Sequence, residues 1–422
     1  MGDAGKTPLS GYQIRLFVFL SVATFFEGYD FLALTQILKN LRDDMSLSES
    51  EAGWLVAFIN LGTVVAYLLV RKADRWGRKR VLTLTILGYT IFTLLTGLSW
   101  DVYSFGAFQF GARVFLIAEW ATAMVYAAEE FPADRRGMVI GVIQAFSSLG
   151  AIVCAGVVPL LLNVPIDNPL SGEPLGWRAV YFVGVVPLVL LAFARRNLVE
   201  TRRFTESVKD RGHRAFAAIW SSPYRTRVIQ LSIIWGVAYI CSHNAVTFWK
   251  DFAMTERGFD DADVGASITI AALASMPLVF GVGPLMDRIG RLRGAVIVLG
   301  LGAVGAFLSY TLVGKWPLTG ALVLGVFGAS AVPAVLNTFT TELFPTEFRG
   351  DAFAWANNLL GRIGYVLSPI AVGTLAEAHS WGGVLRYTAF ANLVALALIL
   401  LWLPETMNKE LEETAAVADR EG

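Results

Sequence analysis

This chain is short of charge, cysteine and histidine. Only 16% of its 422 residues are Asp, Glu, Lys or Arg, against about 25% in an average soluble chain. Lys plus Arg and Asp plus Glu both number 34, so the formal net charge is zero. That balance excludes a basic nucleic-acid-binding protein and an acidic tail. The two cysteines, Cys154 and Cys241, both fall in apolar runs, which excludes a disulfide framework and a cysteine-rich zinc site. The three histidines, His213, His243 and His379, are scattered. No P-loop, metal-ligand cluster or nucleophile triad accompanies them, so neither a catalytic centre nor a metal site is expected, and no cofactor.

What the chain has is long apolar runs. Nine stretches of 16 to 30 residues contain no charged residue: 52–70, 81–100, 137–166, 179–194, 228–249, 264–286, 294–314, 316–341 and 387–404. Three more carry isolated charges: 12–39 with Glu27 and Asp30, 103–128 with Arg113 and Glu119, and 350–376 with Asp351 and Arg362. A helix needs about 20 residues to cross hydrocarbon. The twelve runs predict an all-α protein with twelve transmembrane helices embedded in a lipid bilayer. With the N-terminus inside, 25 of the 34 Lys and Arg fall on the inner side, 7 on the outer side and 2 within spans. This bias predicts a multi-pass cell (inner) membrane protein with both termini cytoplasmic. The first run is long, carries two acids and lacks a small-residue cleavage site, so it reads as a span and not a signal peptide.

The chain repeats itself. Asp74-Arg75-Trp76-Gly77-Arg78 follows span 2 and Asp287-Arg288-Ile289-Gly290-Arg291 follows span 8, 213 residues later. After spans 4 and 10 come Glu129-Glu130-Phe131-Pro132-Ala133-Asp134-Arg135-Arg136-Gly137 and Glu342-Leu343-Phe344-Pro345-Thr346-Glu347-Phe348-Arg349-Gly350, also 213 apart. One offset from two unrelated loops predicts two homologous six-helix halves of the same topology. The expected boundaries are 12–197 for the first bundle, 198–222 for a cytoplasmic linker, 223–404 for the second bundle and 405–422 for a tail.

The duplicated D-R-x-G-R loops, with twelve spans, resemble the signature of the major facilitator superfamily over nearly the whole chain. Glu27-Gly28-Tyr29-Asp30-Phe31 and Glu119-Trp120-Ala121 resemble motifs of its metabolite:proton symporters, as does Arg195-Arg196 with Glu200-Thr201 and Phe204. Pro404-Glu405-Thr406 is closer to its sugar and organic-ion porters. The resemblance implies two pseudo-symmetric six-helix bundles working by alternating access, as a monomer. It also implies that Asp74, Arg75, Arg78, Glu129, Glu130, Arg136, Glu200, Asp287, Arg288, Arg291, Glu342, Arg349 and Glu405 are inner-gate charges that latch helix ends. The alternative is that they only enforce topology. One departure stands out: the glycine expected four positions before the acid is Gly283 in the second copy but Val70 in the first.

Charges inside a span cost about 2.5–3.5 kcal/mol each on insertion scales, so they are functional candidates. Glu27 and Asp30 share a helix face, while Arg113 and Glu119, six apart, face directions differing by roughly 120°. Asp30 with Arg113 resembles the proton-coupling pair of related porters, with Glu27 and Glu119 beside it. A permanent salt bridge is the other reading. Arg362 resembles the span 11 arginine of organic-anion porters and suits a carboxylate, or else pairs with an acid on another helix. The 213 offset maps Asp30 onto His243 and Gln144 onto Asn357. His243, Tyr239, Gln144, Asn357, Asn358, Asn60 and Trp235 are therefore candidate solute contacts, and Trp249 is a further aromatic candidate. The expected function is proton-coupled symport of a small polar organic solute, an organic acid, with the proton as coupling ion. A proton-antiport exporter of drugs or cationic metabolites, a sugar porter and a non-transporting sensor remain alternatives.

Overall fold

The computed structural model describes residues 9–164, 174–194, 216–407 and 409. Within these, the side chains of 71–75, 128, 133–137, 186–187, 190–194 and 346–347 are left aside. Each apolar run is a helix, the one conformation that satisfies its own backbone in hydrocarbon without a closed barrel. The first six are α1 (Gly11–Met45), α2 (Glu49–Trp76), α3 (Arg78–Gly97), α4 (Val102–Glu130), α5 (Ala133–Leu162) and α6 (Arg178–Ala194). After a 3₁₀ turn, Phe216–Ser221, come α7 (Arg225–Thr247), the short α8 (Trp249–Arg257), α9 (Asp261–Ile289), α10 (Arg291–Ser309), α11 (Lys315–Glu342) and α12 (Thr346–Phe353). A π-helical segment, Ala354–Gly361, joins α12 to α13 (Arg362–His379), and α14 is Trp381–Trp402.

Eleven helical stretches among the described residues are long and apolar enough to cross a membrane. The twelfth expected span, α6, shows 17 described residues. Trp54, Leu68, Phe280 and Leu401 turn their side chains outward, as lipid-facing residues do. Trp100, Tyr103 and Trp316 stand exposed at helix ends, where aromatic rings mark a membrane–water interface.

Two sequence expectations change in detail. α1 runs to Met45, so Arg42 lies in a helix and is buried instead of sitting in a loop. Lys250 and Asp251, just past the apolar run 228–249, are buried in α8, and Lys250 pairs with Asp261 at the start of α9. At the first place the helix continues past the apolar run; at the second a separate short helix follows Phe248.

The helices fall into two compact units. The first holds α1, α2 from Phe58 on, and α3 to α6. The second holds everything from the 3₁₀ turn onward together with Ser46–Ala57. Most of the expected linker, 198–222, lies outside the described residues. Its end is the 3₁₀ turn, where Phe216 stacks on Trp355 at 4.8 Å and accepts a hydrogen bond from its indole at 3.2 Å.

Within each unit, small residues set which helices touch. In the first, α1 lies against α5. A Cβ added at Gly28 would lie 1.8 Å from the Ser147 carbonyl oxygen, and one at Gly150 would lie 1.8 Å from that of Phe25. In the second, a Cβ at Gly364 would lie 1.9 Å from the Gly236 carbonyl oxygen, joining α13 to α7. Each half thus closes its first and fifth spans backbone to backbone, as small-residue membrane contacts do. Gly283 differs: an added Cβ there meets nothing within 4 Å. Val70 in the first copy therefore replaces no close contact of the kind Gly28 makes. Gly150→Val should overpack the α1–α5 seam by about 1–3 kcal/mol and lower the melting temperature of the detergent-solubilised protein. Gly141→Ala, placed in open space on the same helix, should not lower it.

Candidate functional site

Three sets of polar residues occupy the helices, two inside the spans and one at helix ends. In the first unit, α1 contributes Glu27 and Asp30, and α4 contributes Arg113 and Glu119. Asp30 is 4% exposed, Arg113 2% and Glu119 3%. Glu27 has a hydrogen-bonding neighbour in Ser147 on α5 and feels the charges of Arg113, Asp30 and Glu119. Asp30 feels Arg113 and lies near Tyr89 on α3, whose hydroxyl donates to the Phe26 carbonyl at 3.4 Å. Thr85 donates to Glu119 Oε2 at 2.6 Å. Arg113 and Glu119, expected to face different directions, both act on Glu27.

The expected Asp30–Arg113 pair is close but not locked. The Arg113 Nε and Nη1 and the Asp30 Oδ2 are buried without a hydrogen-bond partner. The Arg113 guanidinium sits 5.3 Å from the centre of the Phe31 ring. A permanent salt bridge would use those atoms, so the geometry does not match that alternative. Asn60, on α2, is also buried, and its carbonyl accepts from the Thr63 hydroxyl at 2.7 Å. Gln144 accepts from the Trp120 indole at 3.1 Å.

The second unit holds a different set. The Arg362 guanidinium lies 4.9 Å from the Tyr239 ring centre and 4.8 Å from that of Tyr365. Tyr239 donates its hydroxyl to Asn357 Oδ1 at 2.7 Å. His243 packs on Tyr365 with ring centres 4.0 Å apart, and Asn244 donates to Ser368 at 3.0 Å. Among the described residues no carboxylate lies in ion-pair contact with Arg362. The expected alternative, an internal acid partner, is thus not found among the described residues, where the cation meets the rings of Tyr239 and Tyr365.

The local backbone explains this placement. Asn357 and Asn358 lie in the π-helical segment immediately before Arg362. Such wide turns inside helices recur at functional sites. Gly361 permits it: a Cβ there would lie 2.4 Å from the Ala356 carbonyl oxygen and 2.6 Å from Trp235 Cβ. Trp235 itself is fully buried, its indole donating to Thr340 at 3.0 Å. It backs Tyr239 instead of lining the set. Trp249 is likewise buried and donates to the Ser309 carbonyl, so it takes no part.

The third set lies at the helix ends and repeats with the 213 offset. Arg78 Nη2 meets Glu129 Oε1 at 3.0 Å in the first unit, and Arg291 Nη2 meets Glu342 Oε1 at 2.9 Å in the second. Gly77 and Gly290 precede these arginines with φ of 95° and 100° and ψ of 148° and 158°, backbone that glycine alone adopts readily. Arg291 also pairs with Asp287 at 2.6 Å, and Thr406 donates to Glu342 at 2.5 Å. Glu405 accepts from the backbone N–H groups of Arg291 and Leu292 at 2.8 and 3.0 Å and caps α10. Glu130 accepts at its backbone carbonyl from Gln13, Arg349 donates to the Phe344 carbonyl, and Arg288 is exposed. Glu200 and the side chains of Asp74, Arg75 and Arg136 lie outside the described residues.

Sequence reading missed Tyr365, Tyr89, Thr85, Ser147 and Thr406. Tyr365 carries a signal, since it stands three residues after Arg362 and shares its helix face. The hydroxyls around the acids carry none, because they come from other helices.

Burial alone would raise the Glu405 carboxyl. The hydrogen bonds from Leu292, Arg291, Met407 and Thr406 outweigh it and hold the group below the ordinary glutamate value. A carboxyl lowered in the folded state stabilises fully above its unfolded pKa, and that contribution is lost as pH falls through the folded value. Glu405→Gln should therefore melt lower than the parent at pH 7. The gap should close as the pH falls below the ordinary carboxylate range, read as melting temperature against pH.

A family model described as Major Facilitator Superfamily matches residues 20–364 and 252–418. A niacin transporter of Acinetobacter baylyi is 23% identical over 444 residues, covering 96% of this chain and 97% of its own. A cis,cis-muconate transport protein of the same organism is 26% identical over 383 residues, covering 87% and 88%. Among solved structures, a D-xylose-proton symporter superposes with a TM-score of 0.75 at 17% identity, covering 94% of this chain and 99% of that one.

Proposed function

Because the chain belongs to the major facilitator superfamily, a family of membrane transporters and not of enzymes, we propose that this carrier of organic solutes moves a small planar carboxylic acid together with protons. Transport proceeds by alternating access. The observation that carries this reading is Arg362, a guanidinium set over two tyrosine rings that meet each other edge to face, with no acid on it among the described residues. Its planar fork matches a carboxylate, and the flanking rings of Tyr239 and Tyr365 match a flat conjugated body. Niacin and cis,cis-muconate, named for two relatives, both have that form. The Asn357 amide, fixed by Tyr239, and His243 beside Tyr365 supply neutral polar edges.

Proton coupling is assigned to the first unit. Asp30 and Arg113 lie near each other without locking. A change in their separation alters the field on the carboxyl, and with it the proton's binding strength. The helix-end pairs Arg78–Glu129 and Arg291–Glu342 act as latches, made and broken once per cycle. Both termini face the cytoplasm on this reading, as the distribution of Lys and Arg demands.

The test is uptake of radiolabelled niacin and cis,cis-muconate into proteoliposomes with an acid exterior. The wild type should accumulate one of them above its external concentration. Arg362→Gln should raise its KM roughly ten- to hundredfold, the loss expected for a hydrogen bond to a charged group worth about 1.5–3 kcal/mol. Asp30→Asn should abolish accumulation while leaving exchange down the solute gradient. An Asp30→Asn variant that still concentrates solute sinks the coupling assignment. Extrusion of cationic dyes, with no acid uptake, points to the exporter instead.

A further inference from the structure

The second unit carries a cation that its solute set does not use. Arg386, on α14, is half-buried. Its Nε–H is buried without a hydrogen-bond partner, and its guanidinium lies 5.2 Å from the centre of the Tyr387 ring. With Leu375, His379, Gly383, Val384 and Tyr387 it lines an open groove of about 420 Å³ between the end of α13 and the start of α14. No carboxylate lines that groove. Two acids come near it in the fold or the chain. Glu256 on α8 accepts from the Gly382 N–H at 2.9 Å, at the start of α14. Glu377 is exposed, about 200° round α13 from His379.

The groove opens on the outside of the unit. Pro369 and Gly373 turn the other side of α13 to the start of α2. A Cβ added at Gly373 would lie 2.5 Å from the Glu49 carbonyl oxygen, and one at Gly53 would lie 2.3 Å from that of Pro369. Leu375, two residues past Gly373, is about 200° round the helix and 50% exposed. Leu367, Ala371, Leu375 and His379, one turn apart, are all exposed. On α14, Tyr387, Phe390 and Val394 form a second exposed row. Two apolar rows thus run side by side, with a guanidinium and an imidazole at one end. Arg386 stands five residues into α14, about 7.5 Å from the helix end. That depth suits a long side chain whose stem lies in apolar surroundings while its charged head reaches the polar boundary.

We propose that this groove binds one anionic phospholipid, its phosphate on Arg386 beside the His379 ring and its acyl chains along the two rows. A guanidinium meets a phosphate with paired donors. A choline or ethanolamine headgroup would set its own cation beside Arg386, with no acid in the lining to receive it. The groove therefore selects a headgroup of net negative charge. The site owes nothing to the identity of the solute or to proton coupling.

The test is native mass spectrometry of the delipidated, detergent-solubilised protein, titrated with phosphatidylglycerol and phosphatidylcholine in equal amounts. The parent should hold phosphatidylglycerol with a preference of roughly tenfold, the size of one hydrogen bond to a charged group. Arg386→Gln should lose one bound phosphatidylglycerol. Leu375→Trp, which fills the groove and leaves the charge, should lose the same one. Should the arginine variant fail to fold, Leu375→Trp decides alone. Glycerol 3-phosphate, the phosphate without chains, should not displace the lipid. Displacement at equal concentration marks a site for soluble anions and overturns the lipid assignment. Equal retention of both lipids by the parent overturns it too. So does loss in only one of two folded variants, which marks surface charge without a groove or a groove without charge selection, and so does loss in neither.

Discussion

The rest of the molecule depends on the cost of charge in hydrocarbon. A chain whose charges are few and whose apolar runs are helix-length must satisfy its backbone internally, so every run becomes a helix. Each charge left inside a span then needs a reason. In the first unit Arg113 offsets the charge of Glu27 and Asp30, and Glu119 accepts from the Thr85 hydroxyl. In the second, Arg362 is cushioned by the faces of Tyr239 and Tyr365. The two units share a helical plan but differ in their intramembrane charges, with Glu27, Asp30, Arg113 and Glu119 in one and Arg362 in the other. Asp30 and His243 occupy repeat-equivalent positions, yet Glu27, Arg113 and Glu119 map onto Ile240, Val326 and Val332.

Duplication is preserved where mechanics demand it. The Arg78–Glu129 and Arg291–Glu342 pairs, and the glycines before them, recur with the sequence offset and nearly the same geometry. The first and fifth spans of each unit also meet through glycine backbone. These features hold helices together and set their ends. The polar residues inside the spans share some repeat-equivalent positions, Asp30 with His243 and Gln144 with Asn357, but not their partners. Gln144 is bonded from Trp120 on α4, while its counterpart Asn357 is bonded from Tyr239 on α7. That divergence is what two halves with different tasks require.

Much of this was legible in the sequence, for physical reasons that differ by feature. The spans were readable because hydrocarbon thickness sets their length, and the helix-end ion pairs because a constant offset exposed them. Glu27, Asp30, Arg113, Glu119 and Arg362 were readable because charge in an apolar run is conspicuous. What was not readable came from other helices or from backbone detail. Trp235 and Trp249 looked like site residues, but both indoles are buried against Thr340 and Ser309. The π-helical turn before Arg362 leaves no periodicity to detect, since its residues are as apolar as their neighbours. The burial of Arg42, Lys250 and Asp251 in helices leaves no sequence signal, because a charged residue after an apolar run ordinarily ends the span.

The central claim is that solute and protons cross together. The direct measurement is the external pH of weakly buffered proteoliposomes, without any imposed gradient, when niacin or cis,cis-muconate is added outside. The account predicts alkalinisation that begins with the solute and is absent with Asp30→Asn. Solute entry with no pH change, or with acidification, contradicts it.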